Sequence, residues 1–212
     1  MGFPESGADA SWQIADASVW INLAATGRCA DILAALDAPI AIVDVAMREL
    51  ERGAASGHGA FAHIAPLIRS GRVQVVKVRP EDENLYLGLV AGGTAETLDD
   101  GEAATLVAAS RLKAVALIDE RKATTIAQHR FPTLTLRSTT DLLFATLPDP
   151  GDTAGPLADA LFAALQGARM RVPPHWHARV IKVLGPERTR LCHSLPAHLR
   201  LAQAGVAGVG PV

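Results

Sequence analysis

Two apolar runs in the sequence end on an acid. Trp12-Gln-Ile-Ala15 runs into Asp16, and Val115-Ala-Leu-Ile118 runs into Asp119. Glu49 lies a little more than one helical turn beyond a third run, Pro39-Ile-Ala-Ile-Val43, and Glu102 stands in the first turn of a helix leading towards Asp119. In open parallel sheets ligands bind beyond the carboxyl ends of the strands, so four acids from distant positions can meet at one edge. Like charges within about 4–6 Å raise one another's pKa, and such a cluster stays ionised only when cations are bound. Hard oxygen donors in that number select Mg2+ or Mn2+. Two such ions can activate a water and stabilise the leaving oxygen in phosphodiester hydrolysis.

Each acid also has a plain structural role open to it. Asp16 can cap the helix after its strand, and Glu49 can pair with Arg48 or Arg52 on a solvated helix face. Asp99-x-x-Glu102 reads as a capping-box variant, and Asp119 begins a loop. Asp44 also ends an apolar run, so a run followed by an acid is not rare in this chain.

The elements that must position these acids follow from periodicity. Gln13 to Val19 reads as a short strand passing into a helix that ends near Gly27, and Asp31–Leu36 continues helically. Ile40–Val43 is a strand covered on both faces, and Asp44 caps a helix that Gly53 stops. Residues 54–71 are weakly helical, 72–78 a strand and 84–90 helical; 99–112 is a helix and 115–118 a buried strand. A helix at 124–129, a strand at 134–136 and a helix at 142–147 complete the alternation. The pattern predicts an α/β fold: a mostly parallel central sheet with helices on both faces. Residues 1–147 would form this domain, and 148–156 are linker-like by their Pro and Gly content. Residues 157–193 suggest a small helical C-terminal extension, and 194–212 a flexible Ala/Gly-rich tail.

Of the 212 residues 49% are hydrophobic but only 4% aromatic, which favours close helix-on-sheet packing built from Ala, Leu, Val and Ile over an aromatic-rich sandwich. Residues 1–150 carry 13 Lys/Arg against 19 Asp/Glu, and residues 151–212 carry 7 against 3. The body is therefore acidic and the tail mildly basic, and an acidic body repels a polyanion unless cations neutralise it. No apolar run reaches the roughly 18 residues of a membrane span, and the first ten residues lack a basic or apolar leader pattern. A cytoplasmic location with Cys29 and Cys192 unpaired is expected.

Ile14-Ala-Asp16-Ala-Ser18-Val-Trp-Ile-Asn22-Leu23 resembles the opening strand of the PIN-domain superfamily, which includes the toxin halves of VapBC-type toxin–antitoxin pairs. Val45-Ala-Met-Arg-Glu49-Leu50 looks like its second motif. Leu98-Asp-Asp-Gly-Glu102-Ala-Ala-Thr resembles the third motif of a PIN-like subgroup, and Ala116-Leu-Ile-Asp119-Glu120-Arg121-Lys122-Ala123 the fourth. The resemblance covers roughly residues 12–147. It implies a three-layer α/β/α nuclease fold in which Asp16, Glu49, Glu102 and Asp119 are catalytic and ligate Mg2+ or Mn2+, with Ser18 and Glu120 supporting. It also implies an RNA substrate, an antitoxin partner and a homodimer. The sequence departs from the subgroup at Thr124, where an Arg is common, and at Arg137-Ser138-Thr139, where Gly-Thr is common.

His175-Trp176-His177 has the wrong spacing for two ligands on one helix face. His58 and His63 lack i,i+4 spacing, and neither a P-loop nor a nucleophile elbow is present. Arg169, Arg171, Arg179, Lys182, Arg188 and Arg190 form a basic run that reads as a phosphate track or a solvated face. A metal-dependent endoribonuclease, with the toxin role as one form of it, is thus set against a catalytically idle PIN-like scaffold that binds RNA or protein. A phosphotransfer enzyme is disfavoured, because Ser18 stands where it would need a second Asp.

Overall fold

The computed structural model describes residues 12–55, 59–93, 97–149, 151 and 153–202. Among these, five strands form one all-parallel sheet in the order β3-β2-β1-β4-β5. The strands are β1 (Gln13–Ala15), β2 (Ile40–Val43), β3 (Val73–Val76), β4 (Val115–Leu117) and β5 (Leu136–Arg137). Helices α1 (Ala17–Ala25) and α2 (Cys29–Ala34) join β1 to β2; α3 (Asp44–Ala55) and α4 (Ala60–Arg69) join β2 to β3. Helices α5 (Glu83–Val90) and α6 (Asp100–Leu112) lead to β4, and α7 (Arg121–Arg130) leads to β5. Helix α8 (Thr139–Thr146) follows, giving the expected three-layer α/β/α architecture.

Burial explains the strand order. The central strands β1, β2 and β4 are buried at every residue, as continuous apolar runs should be when helices cover both faces. β3, at one edge, alternates only partly and exposes Gln74 and Val75. α6 lies across β1, β2 and β4. Its stretch Gly101–Ala109 is buried throughout, and the small side chains let it sit close to the sheet.

Register sets the functional edge. Ala15 pairs with Ile42 on one side and with Leu117 on the other. β2 and β3 are laid down to one side of β1, and the chain then returns to place β4 on the other side. This reversal opens a crevice at the carboxyl ends of β1 and β4.

Several element boundaries differ from the sequence reading. β1 stops at Ala15, because Asp16 is the N-cap of α1 instead of a strand residue. α3 runs through Gly53 to Ala55. β5 lies two residues later than expected, since a turn bonding the Leu134 amide to the Phe131 carbonyl occupies the place assigned to it. His58 lies outside the described residues.

The segment after α8 folds as α9 (Pro156–Gly167), α10 (His177–Leu191) and α11 (Ala197–Ala202). α9 packs on α1 and α8, and Leu157, Leu161, Leu165, Val180 and Leu184 join the same buried core as the sheet. Phe144 of α8 stacks on Trp176, with ring centroids 4.3 Å apart, and the Arg179 guanidinium lies 4.5 Å from the Phe144 centroid. The Trp176 indole N–H donates to Asp141 at 2.8 Å. α10 breaks at Gly185, whose φ of 70° suits glycine alone and where a Cβ would meet Thr153 Cγ2 at 2.7 Å. Cys29 and Cys192 are free and buried. Among the described residues no helix is long and apolar enough to cross a membrane.

Candidate active site

Asp16 leaves β1 with its backbone amide bonded to the Leu117 carbonyl of β4, at 3.1 Å. The buried Trp20 indole holds the preceding carbonyl, that of Ala15, at 3.2 Å. The Asp16 side chain caps α1: Oδ2 accepts from the Ser18 amide at 3.1 Å and from the Ser18 hydroxyl at 2.8 Å. Oδ1 is buried and has no hydrogen-bonding partner. Burial pushes the carboxyl up to about 6, against the pull of the Ser18 bonds and with the help of the Asp99 charge.

Glu49 projects from α3 onto the first turn of α6. A Cβ on Gly101 would stand 2.7 Å from Glu49 Oε2, so glycine is what admits the carboxylate to the α6 backbone, where it accepts from the Gly101 amide. Burial and the charges of Asp99 and Asp16 raise its pKa to about 7, opposed by that amide and by Arg52.

Glu102 and Asp99 form a complete capping box at the start of α6. The Glu102 amide donates to Asp99 Oδ1 at 2.8 Å, and the Asp99 amide donates to Glu102 Oε2 at 3.3 Å. Glu102 is only 6% exposed, and burial together with the charges of Asp99 and Asp16 takes its pKa to about 8; Glu120 adds a smaller rise. Glu120 caps α7 by accepting from the Ala123 amide at 2.9 Å.

The structure therefore draws Asp16, Glu49 and Glu102 into one electrostatic cluster and adds Asp99, which the sequence marks only as a cap. Its position in Leu98-Asp-Asp-Gly-Glu102 is the signal that could have found it. Glu120 borders the same cluster. Asp119 is held differently. Its Oδ2 accepts from Asn22 at 2.6 Å and from the Thr139 hydroxyl, and its Oδ1 accepts from the Thr139 amide at 2.8 Å. Burial raises its pKa; the Thr139 and Asn22 bonds and the charge of Arg171 oppose the rise. No sequence signal assigns Asn22, Thr139 or Arg171 to this carboxylate.

Hard oxygen donors, an orphaned buried Asp16 Oδ1 and mutually raised carboxyls suit a divalent cation. The present side-chain positions do not close around one: among the described residues no group of three or more acids, histidines or cysteines is arranged to hold an ion. Glu49 rests on the Gly101 amide and Glu102 on the Asp99 amide.

A family model described as a PIN domain matches residues 12–186, which takes in α9 and most of α10 as well as the sheet. No curated protein and no solved structure matches the chain.

Proposed function

The chain belongs to the PIN-domain family, whose members are typically nucleases, and from that premise we propose that it is a divalent-metal-dependent endoribonuclease. Asp16, Glu49 and Glu102 are the proposed ligands, with Asp99 and Glu120 beside them. Asp119 Oδ2 already accepts two hydrogen bonds, so any share it takes in holding an ion falls to Oδ1, which accepts one. A bound Mg2+ or Mn2+ supplies Lewis acidity at the phosphate and a lowered pKa for water.

The protein's own part is to place charge. Ser18 fixes the rotamer of Asp16 through two bonds to one oxygen and leaves the other buried and unbonded. Gly101 sets the depth of Glu49. Asn22 and Thr139 lock Asp119 at the mouth of β4, and Arg171 fixes the Asp119 carbonyl at 2.8 Å. If the protein is the toxin of a pair, an antitoxin would act by covering this edge.

The observation that carries the reading is the unpartnered buried oxygen of Asp16 among acids that raise one another's pKa. Cleavage of labelled single-stranded RNA in Mn2+ should fall at least about 100-fold in Asp16→Asn, the scale of losing one preorganised electrostatic group. An unchanged rate refutes the assignment. The open arrangement of the acids favours a second reading, a catalytically idle scaffold. Calorimetric titration separates the two, because an idle scaffold binds no Mn2+ at the cluster.

A further inference from the structure

The acidic edge has a basic wall, and it comes from the far end of the sequence. Between α9 and α10 the chain passes over the end of β4, where Arg171 Nη1 donates to the Asp119 carbonyl at 2.8 Å. Two residues earlier Arg169 holds a left-handed backbone, φ 54°. It stands one residue past the C-cap of α9, where the Met170 amide bonds back to the Ala164 carbonyl at 3.1 Å, an ordinary left-handed helix ending. Both arginines line a cavity of about 260 Å³ together with Ser18, Asn22, Asp119 and Glu120.

Arg171 also lines a second cavity, of about 250 Å³, with Thr124, Gln128, Arg137 and His175. Among the described residues it is the one that the two cavities share. Each is smaller than the roughly 300–1,000 Å³ of a typical small-molecule site. Adjoining small hollows with a guanidinium between them suit successive units of an extended chain better than one enclosed ligand.

Two other members of the basic run are used elsewhere. Arg179 pairs with Asp149 at 3.1 Å and lies over Phe144; Arg188 pairs with Asp159 at 2.8 Å and lies over Phe162. These two tie the C-terminal helices down. Arg169 and Arg171 instead flank the acids.

We propose that Arg169, Arg171 and Arg137 form the phosphate-holding wall of the acidic site, gripping the backbone of single-stranded RNA on one side of the cleaved bond. The proposal rests on the ribonuclease reading. A cluster of carboxylates repels a polyanion, so the strand needs cationic purchase beside it. Guanidinium groups supply that purchase by paired hydrogen bonds to phosphate oxygens. The path runs from the hollow at Asn22 and Asp119, past Arg171, to the hollow at Arg137.

The test uses the full-length chain carrying Asp16→Asn, so that RNA is bound without turnover, and a labelled single-stranded RNA in Mg2+. Affinity is measured by fluorescence anisotropy over a series of salt concentrations. Arg169→Ala and Arg137→Ala should each weaken binding several-fold and lower the slope of log K against log salt by about 0.7, the value per neutralised phosphate on a single strand. Arg190→Ala, on an exposed part of α10, should change neither. Melting curves confirm that both exposed arginine variants stay folded. If the parent binds RNA and both variants keep its affinity and slope, the wall is refuted while the ribonuclease reading stands. If the wild-type chain neither binds nor cleaves RNA, the reading and the wall fall together.

Discussion

Replacing Asp16 by Asn should make the cation-free protein more stable at neutral and alkaline pH, although it should cut cleavage at least about 100-fold. Folding carries the Asp16 carboxyl from 3.8 up to about 6. The folded protein thus binds that proton more tightly than the unfolded chain does, and stability falls as pH rises through the interval between the two values. At about 1.36 kcal/mol per tenfold, the charged form costs about 3 kcal/mol once pH exceeds 7. Asn carries no such cost. It does place an amide where Oδ1 has no partner, and an unsatisfied buried donor offsets about 1 kcal/mol of the gain. The net gain is about 2 kcal/mol.

The pH dependence distinguishes this mechanism from any generic stabilisation. Well below pH 3.8 the Asp16 carboxyl is neutral in the folded and the unfolded chain alike, and the variant should be less stable by about 1 kcal/mol, the cost of its unpartnered amide. The advantage should grow between about pH 4 and 6.5 and then level off. Urea unfolding followed by Trp20 and Trp176 fluorescence in EDTA measures it directly, and a chain of this size should gain roughly 4–8 °C in Tm at pH 8. Adding Mn2+ should reverse the order, since a ligand at 100 times its Kd stabilises by about 2.7 kcal/mol and only the wild type retains the full donor set. A difference that is flat across pH, or a variant less stable than wild type at pH 8, would show that Asp16 is not a carboxylate under strain.

Two further substitutions probe the partners of the acids. Gly101→Ala puts a Cβ 2.7 Å from Glu49 Oε2 and should expel that carboxylate. Initial cleavage rates should drop at least about tenfold while stability stays within about 1 kcal/mol, since alanine favours the helix; an unaltered rate would mean Glu49 is not needed where it sits. Thr139→Val removes the hydroxyl bonded to Asp119 Oδ2 and should cost about 1–3 kcal/mol. The loss should be largest at high pH, because it deepens a rise in the Asp119 pKa that already penalises the charged form; Thr139→Ser should restore most of it.

The frame of this site was legible because it is local. Ile40–Val43 and Val115–Leu117 announce buried strands by unbroken apolar character, and the Asp99–Glu102 capping box could be read from its spacing. What escaped depends on contacts between distant positions. Asn22 and Asp119 are 97 residues apart, and Arg171 lies 52 residues beyond the carbonyl it holds. No periodicity links such pairs; the sheet register does. The two departures from the PIN-like pattern, Thr124 and Arg137, look unrelated in sequence yet line one cavity. The helix past Gly53 and the late start of β5 were missed for the opposite reason, since packing and one turn overrode local propensity.

The plain and the chemical readings of the acids turn out to be compatible. Asp16, Asp99 and Glu120 each cap a helix, and Glu102 completes the box at α6. In a parallel sheet the helices that follow strands directly begin at the carboxyl edge, so α1, α3, α7 and α8 start there, and α6 starts within range of Asp16. Each helix N-terminus carries a partial charge of about +0.5, so five supply about +2.5. Against them stand six carboxylates: Asp16, Glu49, Asp99, Glu102, Asp119 and Glu120. The excess is about three to four negative charges, and it adds to burial in raising the pKa values of Asp16, Glu49 and Glu102 to about 6, 7 and 8. Capping explains why the acids can be assembled at all, but not why so many are assembled. One or two divalent cations, as the proposed function requires, would match that excess in sign and size, and the fixed helix termini hold the acids in place without them.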